Sequence, residues 1–460
     1  MPILETSMSV PGFSRLITLF LIFLAAFVPL SALDLPIRRI PDDSSLRASL
    51  VDSWFKGRPG TVLNQVLPLQ TLPGGGRVEV RTEAAGEEFM IILARELNGA
   101  FPGYAQGSWV LTRRMEDGQA LRIRIFPRSD FNAYVQFRPF SAADKCVMDV
   151  VIYNAYVVNA LPLPIPFERL LTLPLEEVLA VAKDKFPLRY FEPQPDSYRD
   201  VRRFIGEVRK RLPMQFQDDG ALDENGEYVF IDDLAPQHIA PGLNCSGFAK
   251  WVVDGILRPV TGRRLSIPPL KAPFGDRGSG FTAPWENLKD PFFGLDWTRN
   301  LASIAGRVLR TPTFGELAEI EVRDAPFSAV IRRDRQGSVA GDRIGPTSFP
   351  GYLTDAGFGI EGIHPLLYTL AIDEPGRIYL ASVNTEMGDP ATDDNPRGRP
   401  RMRKHFHVAV LVPYFTEGGF FRIALFESAE ETLFDTFKTR YSRDHYVNLV
   451  RIPIEITFDP

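Results

Sequence analysis

The sequence predicts an α+β fold, in which a β-rich N-terminal part is followed by a part that contains helices. Short alternating apolar segments dominate from residue 77 to residue 158, which is typical of strands. An apolar pattern of helical spacing begins at Cys245. Strands and helices that are grouped in separate stretches of a chain are typical of α+β proteins.

Length and charge limit the classes of function. The chain has 460 residues, of which 45% are hydrophobic and 24% are charged, and its formal net charge is −5. This length predicts two or three domains with sizeable cores. We expect one domain over residues 33–195 and another over residues 196–460. The slight excess of acidic residues gives no indication of a nucleic-acid partner, and none is expected.

Residues 1–32 have the pattern of an export signal. Arg15 precedes an apolar run from Leu16 to Leu30, and two small residues follow at 31 and 32. The run is short for a membrane span. Because Leu30 stands where a small residue is preferred before cleavage, an uncleaved N-terminal anchor is the alternative. We expect a periplasmic or extracellular protein, tethered to the inner membrane if this segment is retained.

The N-terminal domain is predicted to be a sandwich or a curled sheet. Four candidate strands lie at 77–81, 109–112, 121–125 and 134–137, and the first of them alternates polar and apolar residues. A longer apolar run from Cys146 to Val158 predicts one buried strand. The domain carries no clustered carboxylates or histidines and no glycine-rich phosphate loop, so we expect it to serve as a folding or positioning module.

The segment that joins the two domains is predicted to be helical. A proline-rich hinge at 161–166 precedes candidate helices at 175–185 and 197–212, and residues 191–195 mark the domain boundary. The second helix has one apolar face that includes Val201, Phe204 and Val208.

The residues around Cys245 form the strongest candidate for a catalytic site. Asn244 is a suitable N-cap for the helix that follows. A thiol in the first helical turn lies near the unpaired amides and the positive end of the helix dipole, which favour the thiolate. The alternative is that Cys245 is a small hydrophobic residue packed under the helix. The other cysteine, Cys146, is expected to be structural, and both are expected to be free thiols.

Residues 244–252, Asn-Cys-Ser-Gly-Phe-Ala-Lys-Trp-Val, resemble the Asp-Cys-Ser-Gly-Phe/Leu-Val motif around the nucleophile of NlpC/P60-type cysteine peptidases. Residues 374–380 resemble the Pro-Gly-Asp-Leu-Val-Phe-Phe strand of that family, and residues 407–412 resemble its His-Val-Gly-Ile-Tyr strand. The resemblance covers residues 244–257 and 374–429. It implies a papain-like domain over 196–460, with the cysteine on a helix packed against an antiparallel sheet and a large insertion at about 258–363.

The resemblance also implies partners for the cysteine. His407 opens the strand on which the family carries its general base. Strand periodicity puts His405 on the same face, so His405 is the rival. Glu427 stands where the family usually has His, Asn or Gln, and its carboxylate could orient the imidazole. The alternative for Glu427 is a surface residue at a strand end.

Two other features bear on the substrate. The family's Tyr-x-Trp-Gly-Gly element has no counterpart, since Tyr228-Val229-Phe230-Ile231-Asp232 stands before the cysteine. The loop at 387–404 ends in five basic residues, which either receive anionic groups of a substrate or form a solvated loop.

We therefore expect an exported cysteine peptidase or amidase. The Cys245 thiolate would attack an amide carbonyl, His407 would transfer the proton, and Glu427 would orient His407. Peptidoglycan stem peptides, or another envelope peptide, are the substrates that the resemblance implies. No cofactor and no metal is expected. The alternatives are a non-catalytic envelope protein with a peptidase-like domain, and an acyltransferase that uses the same Cys/His pair on lipid.

Overall fold

The chain is described from a computed structural model. The described residues are 34–40, 43–73, 75–182, 185–212, 216–275, 290–310, 312–331, 347–386, 403–441, 444–454 and 457–460. The predicted export signal and residues 387–402 of the predicted basic loop lie outside these ranges. Among the helices of the described ranges, none combines the length and the apolar character needed to cross a membrane.

Helices and antiparallel strands make up the fold, which confirms the α+β class. The strands of the described ranges are β1 (Gln70–Thr71), β2 (Arg77–Ala85), β3 (Glu88–Arg95), β4 (Trp109–Arg114), β5 (Ala120–Ile125), β6 (Ala133–Pro139), β7 (Cys146–Ile152), β8 (Ala155–Leu163), β9 (Gly220–Leu222), β10 (Tyr228–Phe230), β11 (Ala329–Val330), β12 (Thr347–Ser348), β13 (Phe358–Gly359), β14 (Arg377–Glu386), β15 (Arg403–Phe415), β16 (Phe421–Glu427), β17 (Glu430–Thr432) and β18 (Tyr446–Pro453).

The helices of the same ranges are α1 (Ser44–Leu50), α2 (Pro59–Val62), α3 (Leu175–Ala182), α4 (Arg199–Lys210), α5 (Cys245–Thr261), α6 (Pro268–Lys271), α7 (Phe293–Leu309), α8 (Leu317–Ile320), α9 (Ile363–Asp373) and α10 (Phe434–Arg440). Short 3₁₀ turns, such as Pro195–Tyr198 before α4, connect several of them.

The N-terminal part is built on a ten-stranded antiparallel sheet. Its order is β1-β2-β3-β4-β5-β6-β7-β8-β11-β12, so the first eight strands follow one another as a meander. The last two strands come from the segment that we predicted to be an insertion, and Val330 of β11 pairs with Ala155 of β8. The four predicted strands are confirmed within β2, β4, β5 and β6.

Two predictions for this part are wrong. The apolar run from Cys146 to Val158 is not one strand, because it reverses at Tyr153 and Asn154 to form the β7–β8 hairpin. Both residues have positive φ angles, 46° and 68°, which is the backbone conformation of a tight hairpin turn. The predicted hinge also begins as strand, since Leu161 and Leu163 belong to β8 and pair with Met148 and Cys146.

The C-terminal part is built on a six-stranded antiparallel sheet of order β13-β18-β14-β15-β16-β17. Helix α5 packs on β15, and α7 packs against α5 and the central strands. A continuous hydrophobic core joins this part to the ten-stranded sheet. Polar contacts span the same junction: the buried guanidinium of Arg128, after β5, donates to the hydroxyl of Tyr368 in α9 at 3.2 Å.

Helix α5 is buried on every side over most of its length. The residues from Ser246 to Leu257 are all buried, so the predicted apolar stripe of Phe248, Val252, Val253, Ile256 and Leu257 is only part of its contact surface. Even the Lys250 ammonium is buried, and it donates to the Asp254 carboxylate one turn later at 2.6 Å. Both side chains are at most 1% exposed. The pair gives each charge a partner inside the core.

Replacing Lys250 by Met should destabilise the protein strongly, because the Asp254 carboxylate would stay buried without its partner. We expect the free energy of unfolding to fall by about 3–5 kcal/mol, measured by urea denaturation. The matched control is Lys210→Met in α4, where the ammonium lies at the same 2.6 Å from Glu207 but is 69% exposed. That change should have little effect. Equal effects of the two substitutions would contradict the assigned role of the buried pair.

Candidate active site

The first turn of α5 fixes the position of Cys245, as the sequence predicted. Asn244 has extended backbone angles, and its side-chain oxygen accepts a hydrogen bond from the Gly247 N–H at 2.7 Å, which confirms the N-cap. The Asn244 N–H donates to the Gly220 carbonyl of β9 at 2.9 Å. A side chain at Gly247 would clash with the same carbonyl, so a glycine is needed for this approach. Cys245 is the first residue of α5 and is half-buried.

A β-bulge in β15 separates the two candidate histidines. His407 pairs with Val383 of β14, whereas His405 pairs with the next residue, Asn384, so Phe406 is the extra residue of the bulge. Neighbouring residues of β14 point to opposite faces. The expectation that His405 and His407 share a face is therefore wrong, because it assumed an unbroken alternation along the strand.

His405 is held by neighbours other than the cysteine. Its Nε2 donates to the Asp355 carbonyl at 2.9 Å, and its Nδ1 is paired with the Ser382 hydroxyl at 2.9 Å. The side chain is buried. Both ring nitrogens thus have partners in the interior, and the ring has no nitrogen left for a thiol.

His407 and Glu427 form a short hydrogen bond. The distance from His407 Nε2 to Glu427 Oε2 is 2.6 Å. Glu427 is the last residue of β16 and so lies at a strand end, but it is only 5% exposed. Its other oxygen, Oε1, accepts from the Arg440 guanidinium of α10 at 2.8 Å.

Burial alone would raise the pKa of the Glu427 carboxyl, but its hydrogen bonds from His407, Arg440 and Thr432 outweigh that effect. The pKa falls to about 2. Glu427 is therefore ionised at any pH at which the protein would act.

Cys245 and His407 shift each other's pKa in opposite directions. Burial raises the pKa of the thiol, but the hydrogen bond and charge of His407, the Val408 N–H and the Ser246 hydroxyl together bring it below its ordinary value. For His407, burial lowers the pKa, but hydrogen bonds to Cys245 and Glu427 raise it to about 9. Because Nε2 faces Glu427, Nδ1 is the nitrogen available to the sulfur. The pair favours a thiolate beside an imidazolium.

Sequence reasoning identified Cys245, His407 and Glu427 but missed Arg440 and Thr432. Arg440 ends α10 and Thr432 ends β17, and both reach Glu427 only because the chain turns back after β16. Nothing in their local sequence marks them. The turn itself, Ser428 and Ala429 with φ angles of 47° and 67°, uses residues that seldom mark a hairpin.

The other titratable candidates lie elsewhere. Cys146 is buried in β7, and burial raises the pKa of its thiol to about 11, which is the behaviour of an inert structural cysteine. Burial lowers the pKa of His364 to about 3, and its ring packs 4.1 Å from that of Tyr153. His238 is an exposed loop residue. Among the described residues, no group of three or more His, Cys, Asp or Glu side chains is arranged to hold a metal ion.

A protein-family model described as "Domain of unknown function (DUF8515)" matches residues 36–190. This segment contains strands β1–β8 and ends before α4, so Cys245, His407 and Glu427 all lie outside it. No match was found among curated proteins or among solved structures.

Cys245 should react with iodoacetamide at neutral pH faster than an ordinary thiol. Each unit by which its pKa falls raises the thiolate fraction about tenfold. The measurement is the alkylation rate of Cys245 against pH, with a synthetic peptide of residues 241–250 as the control. His407→Ala should slow the reaction, because the thiol would lose the partner that does most to offset the effect of burial on its pKa. If the alkylation rate equals that of the peptide and is unchanged by His407→Ala, Cys245 is not activated by His407.

Glu427→Gln should lower the pKa of His407 from about 9, because the imidazolium would lose its carboxylate partner. Titration of the His407 ring by NMR measures this directly. The wild-type ring should hold its proton up to about pH 9, and the variant should lose it at lower pH. Glu430→Gln is the matched control, since Glu430 is exposed and pairs with Glu427 across the same hairpin. If the His407 pKa is the same in both variants, Glu427 is not the group that raises it.

Proposed function

We propose that this chain is an exported cysteine hydrolase that cuts amide bonds in peptides of the bacterial cell wall, with a papain-like, NlpC/P60-type catalytic arrangement. The observation that carries the proposal is that His407 interacts with Cys245 on one side and with Glu427 on the other. The distance from His407 Nε2 to Glu427 Oε2 is 2.6 Å. Nucleophile, base and orienting group lie on a helix N-terminus and on two adjacent strands.

Each residue has one step in the reaction. The Cys245 thiolate attacks the carbonyl carbon of the amide, and the carbonyl electrons move to the oxygen. As the tetrahedral intermediate collapses, the His407 imidazolium gives its proton to the departing amine, and a thioester remains. Neutral His407 then takes a proton from water, which attacks the thioester and releases the carboxylic acid and the thiolate. Glu427 holds the imidazole orientation throughout.

The oxyanion would be stabilised at the start of α5. The backbone N–H of Cys245 belongs to the first turn, where amides have no partner within the helix. It lies at the positive end of the helix dipole, and a developing negative charge there is favoured.

The choice of an amide in a wall peptide follows from the resemblance around Cys245 and His407. The N-terminal segment, with its export pattern, is consistent with an envelope substrate. The ten-stranded sheet, joined to the site by a continuous core, would serve as a positioning module.

The purified protein should release new amino and carboxyl ends from peptidoglycan stem peptides, detected by mass spectrometry. Cys245→Ala should abolish the release, and His407→Ala should reduce it by about a hundredfold or more, the usual contribution of general acid–base catalysis. Cys146→Ala is the control that should keep activity. Cleavage that survives Cys245→Ala would contradict the mechanism. If Cys245 is alkylated but no wall peptide is cleaved, the proposed substrate class is wrong.

A further inference from the structure

Glu427 contacts two cations, and the reaction described above uses only one of them. Its Oε2 accepts a hydrogen bond from His407 Nε2 at 2.6 Å, and its Oε1 lies 2.8 Å from Arg440 Nη2. The carboxylate is buried, whereas the Arg440 side chain is 45% exposed and reaches it from the last residue of α10. His407 and Arg440 therefore share one carboxylate.

The two halves of the reaction need opposite protonation states of His407. When the amide bond breaks, the imidazolium gives its proton to the departing amine. When the thioester is hydrolysed, neutral His407 must take a proton from water. A ring that held its proton too firmly would serve the first half and stop the second.

The thiolate supports the imidazolium only in the first half. Hydrogen bonds to Cys245 and Glu427, together with their charges, raise the pKa of His407 to about 9. In the thioester the sulfur is bound to the acyl carbon and carries no charge, so Glu427 remains as the anion beside the ring. A buried carboxylate at hydrogen-bond distance would by itself strongly favour the protonated ring.

Arg440 weakens the hold of Glu427 on that proton in two ways. Its contact draws the negative charge of the carboxylate toward Oε1, so Oε2 becomes a weaker acceptor for the ring. Its own charge also disfavours a second positive charge on the other side of the same carboxylate. Both effects bring the pKa of His407 below the value that Glu427 alone would give it.

The other groups around the pair do not supply this effect. The ionisable groups near His407 and Glu427 include Cys245 of α5, Arg440 and Tyr441 of α10, Glu430 of β17, and His445 before β18. Tyr441 stays neutral, because burial raises its pKa to about 12. Glu430 is exposed, so water screens its charge. Among the described residues that bond to Glu427, Arg440 is the one cation besides His407.

We propose that Arg440 is a positioning residue that lets His407 release its proton, so that water can hydrolyse the thioester on Cys245. In that step the water oxygen forms a bond to the acyl carbon and its proton passes to His407. The carbon–sulfur bond breaks, and its electron pair stays on the sulfur. The inference rests on the proposed function, because the thioester is an intermediate of that reaction.

The first test measures the protonation of His407 without the thiolate. In a Cys245→Ala background, as in the thioester, Glu427 is the anion left beside the ring. We expect Arg440→Met to raise the His407 pKa by about one pH unit or more, measured by NMR titration of the ring. Glu427→Gln in the same background should lower it. If Arg440 did no more than hold Glu427 in place, Arg440→Met would also lower the pKa, so the sign of the change separates the two roles.

The second test measures turnover of p-nitrophenyl acetate. The Cys245 thiolate attacks the ester carbonyl and p-nitrophenolate leaves in a burst, whereas the later steady rate reports hydrolysis of the acetyl thioester. The steady rate is divided by the burst amplitude, which counts the acylated sites, so misfolded protein does not affect the result. Arg440→Met should lower this ratio by about tenfold or more at neutral pH, because each unit by which the His407 pKa rises reduces the neutral fraction about tenfold. The ratio should recover as the pH is raised.

Two variants serve as controls. Arg440→Lys keeps the positive charge, so the ratio and the His407 pKa should stay near their wild-type values. Lys438→Met removes a positive charge from the same helix, but that charge acts on His364. It should leave both quantities unchanged.

Two results would overturn the inference. If Arg440→Met lowers the His407 pKa or leaves it unchanged, or if it leaves the ratio unchanged, Arg440 does not ease the loss of the proton and the proposed hydrolase stands. If Cys245 of the wild-type protein reacts with neither p-nitrophenyl acetate nor iodoacetamide, the proposed function is wrong and the role of Arg440 fails with it.

Discussion

The candidate site depends on how closely the first turn of α5 approaches its neighbours. A side chain at Gly247 would collide with the Gly220 carbonyl, and one at Gly220 would collide with the Gly242 carbonyl. The Trp297 indole N–H donates to the Ser246 carbonyl at 2.9 Å from the other side. These contacts leave the start of the helix little freedom, so Cys245 is held where β15 and β16 bring His407 and Glu427. Rigid placement of this kind is what a nucleophile and its base require.

Charge alternates along the site. In the ion-pair form, the Cys245 thiolate is followed by the His407 imidazolium, the Glu427 carboxylate and the Arg440 guanidinium, and Glu427 contacts both cations. Burial opposes every isolated charge, but a neutral row of paired charges offsets much of that cost. Arg440 gives the row a further property. Because it contacts Glu427 through the oxygen that His407 does not use, Glu427 keeps a cationic partner when His407 loses its proton. The carboxylate can therefore remain an acceptor through the whole reaction cycle.

The sequence predicted local features well and non-local ones poorly. The cap at Asn244 and the start of α5 follow from patterns within a few residues. The strands that carry His407 and Glu427 were expected from the resemblance of residues 374–429 to the peptidase family. The bulge at Phe406 could not be predicted, because it depends on the register between β15 and β14, and it reversed the expected relation between His405 and His407. Arg440 was missed for a similar reason, since its contact with Glu427 is made by a helix beyond the next strand. The β7–β8 turn at Tyr153 and Asn154 lacks the glycine that usually marks such a reversal.

The central claim is that Cys245 is a thiolate paired with the His407 imidazolium. The most direct measurement is the ultraviolet absorbance of the thiolate during a pH titration of the purified protein, taken as the difference from Cys245→Ala. The account predicts that thiolate absorbance is already present at neutral pH, below the ordinary thiol pKa of 9.0. Absorbance that develops only at pH 9 or above would show an unperturbed or buried neutral thiol, and the proposed chemistry would then have no nucleophile.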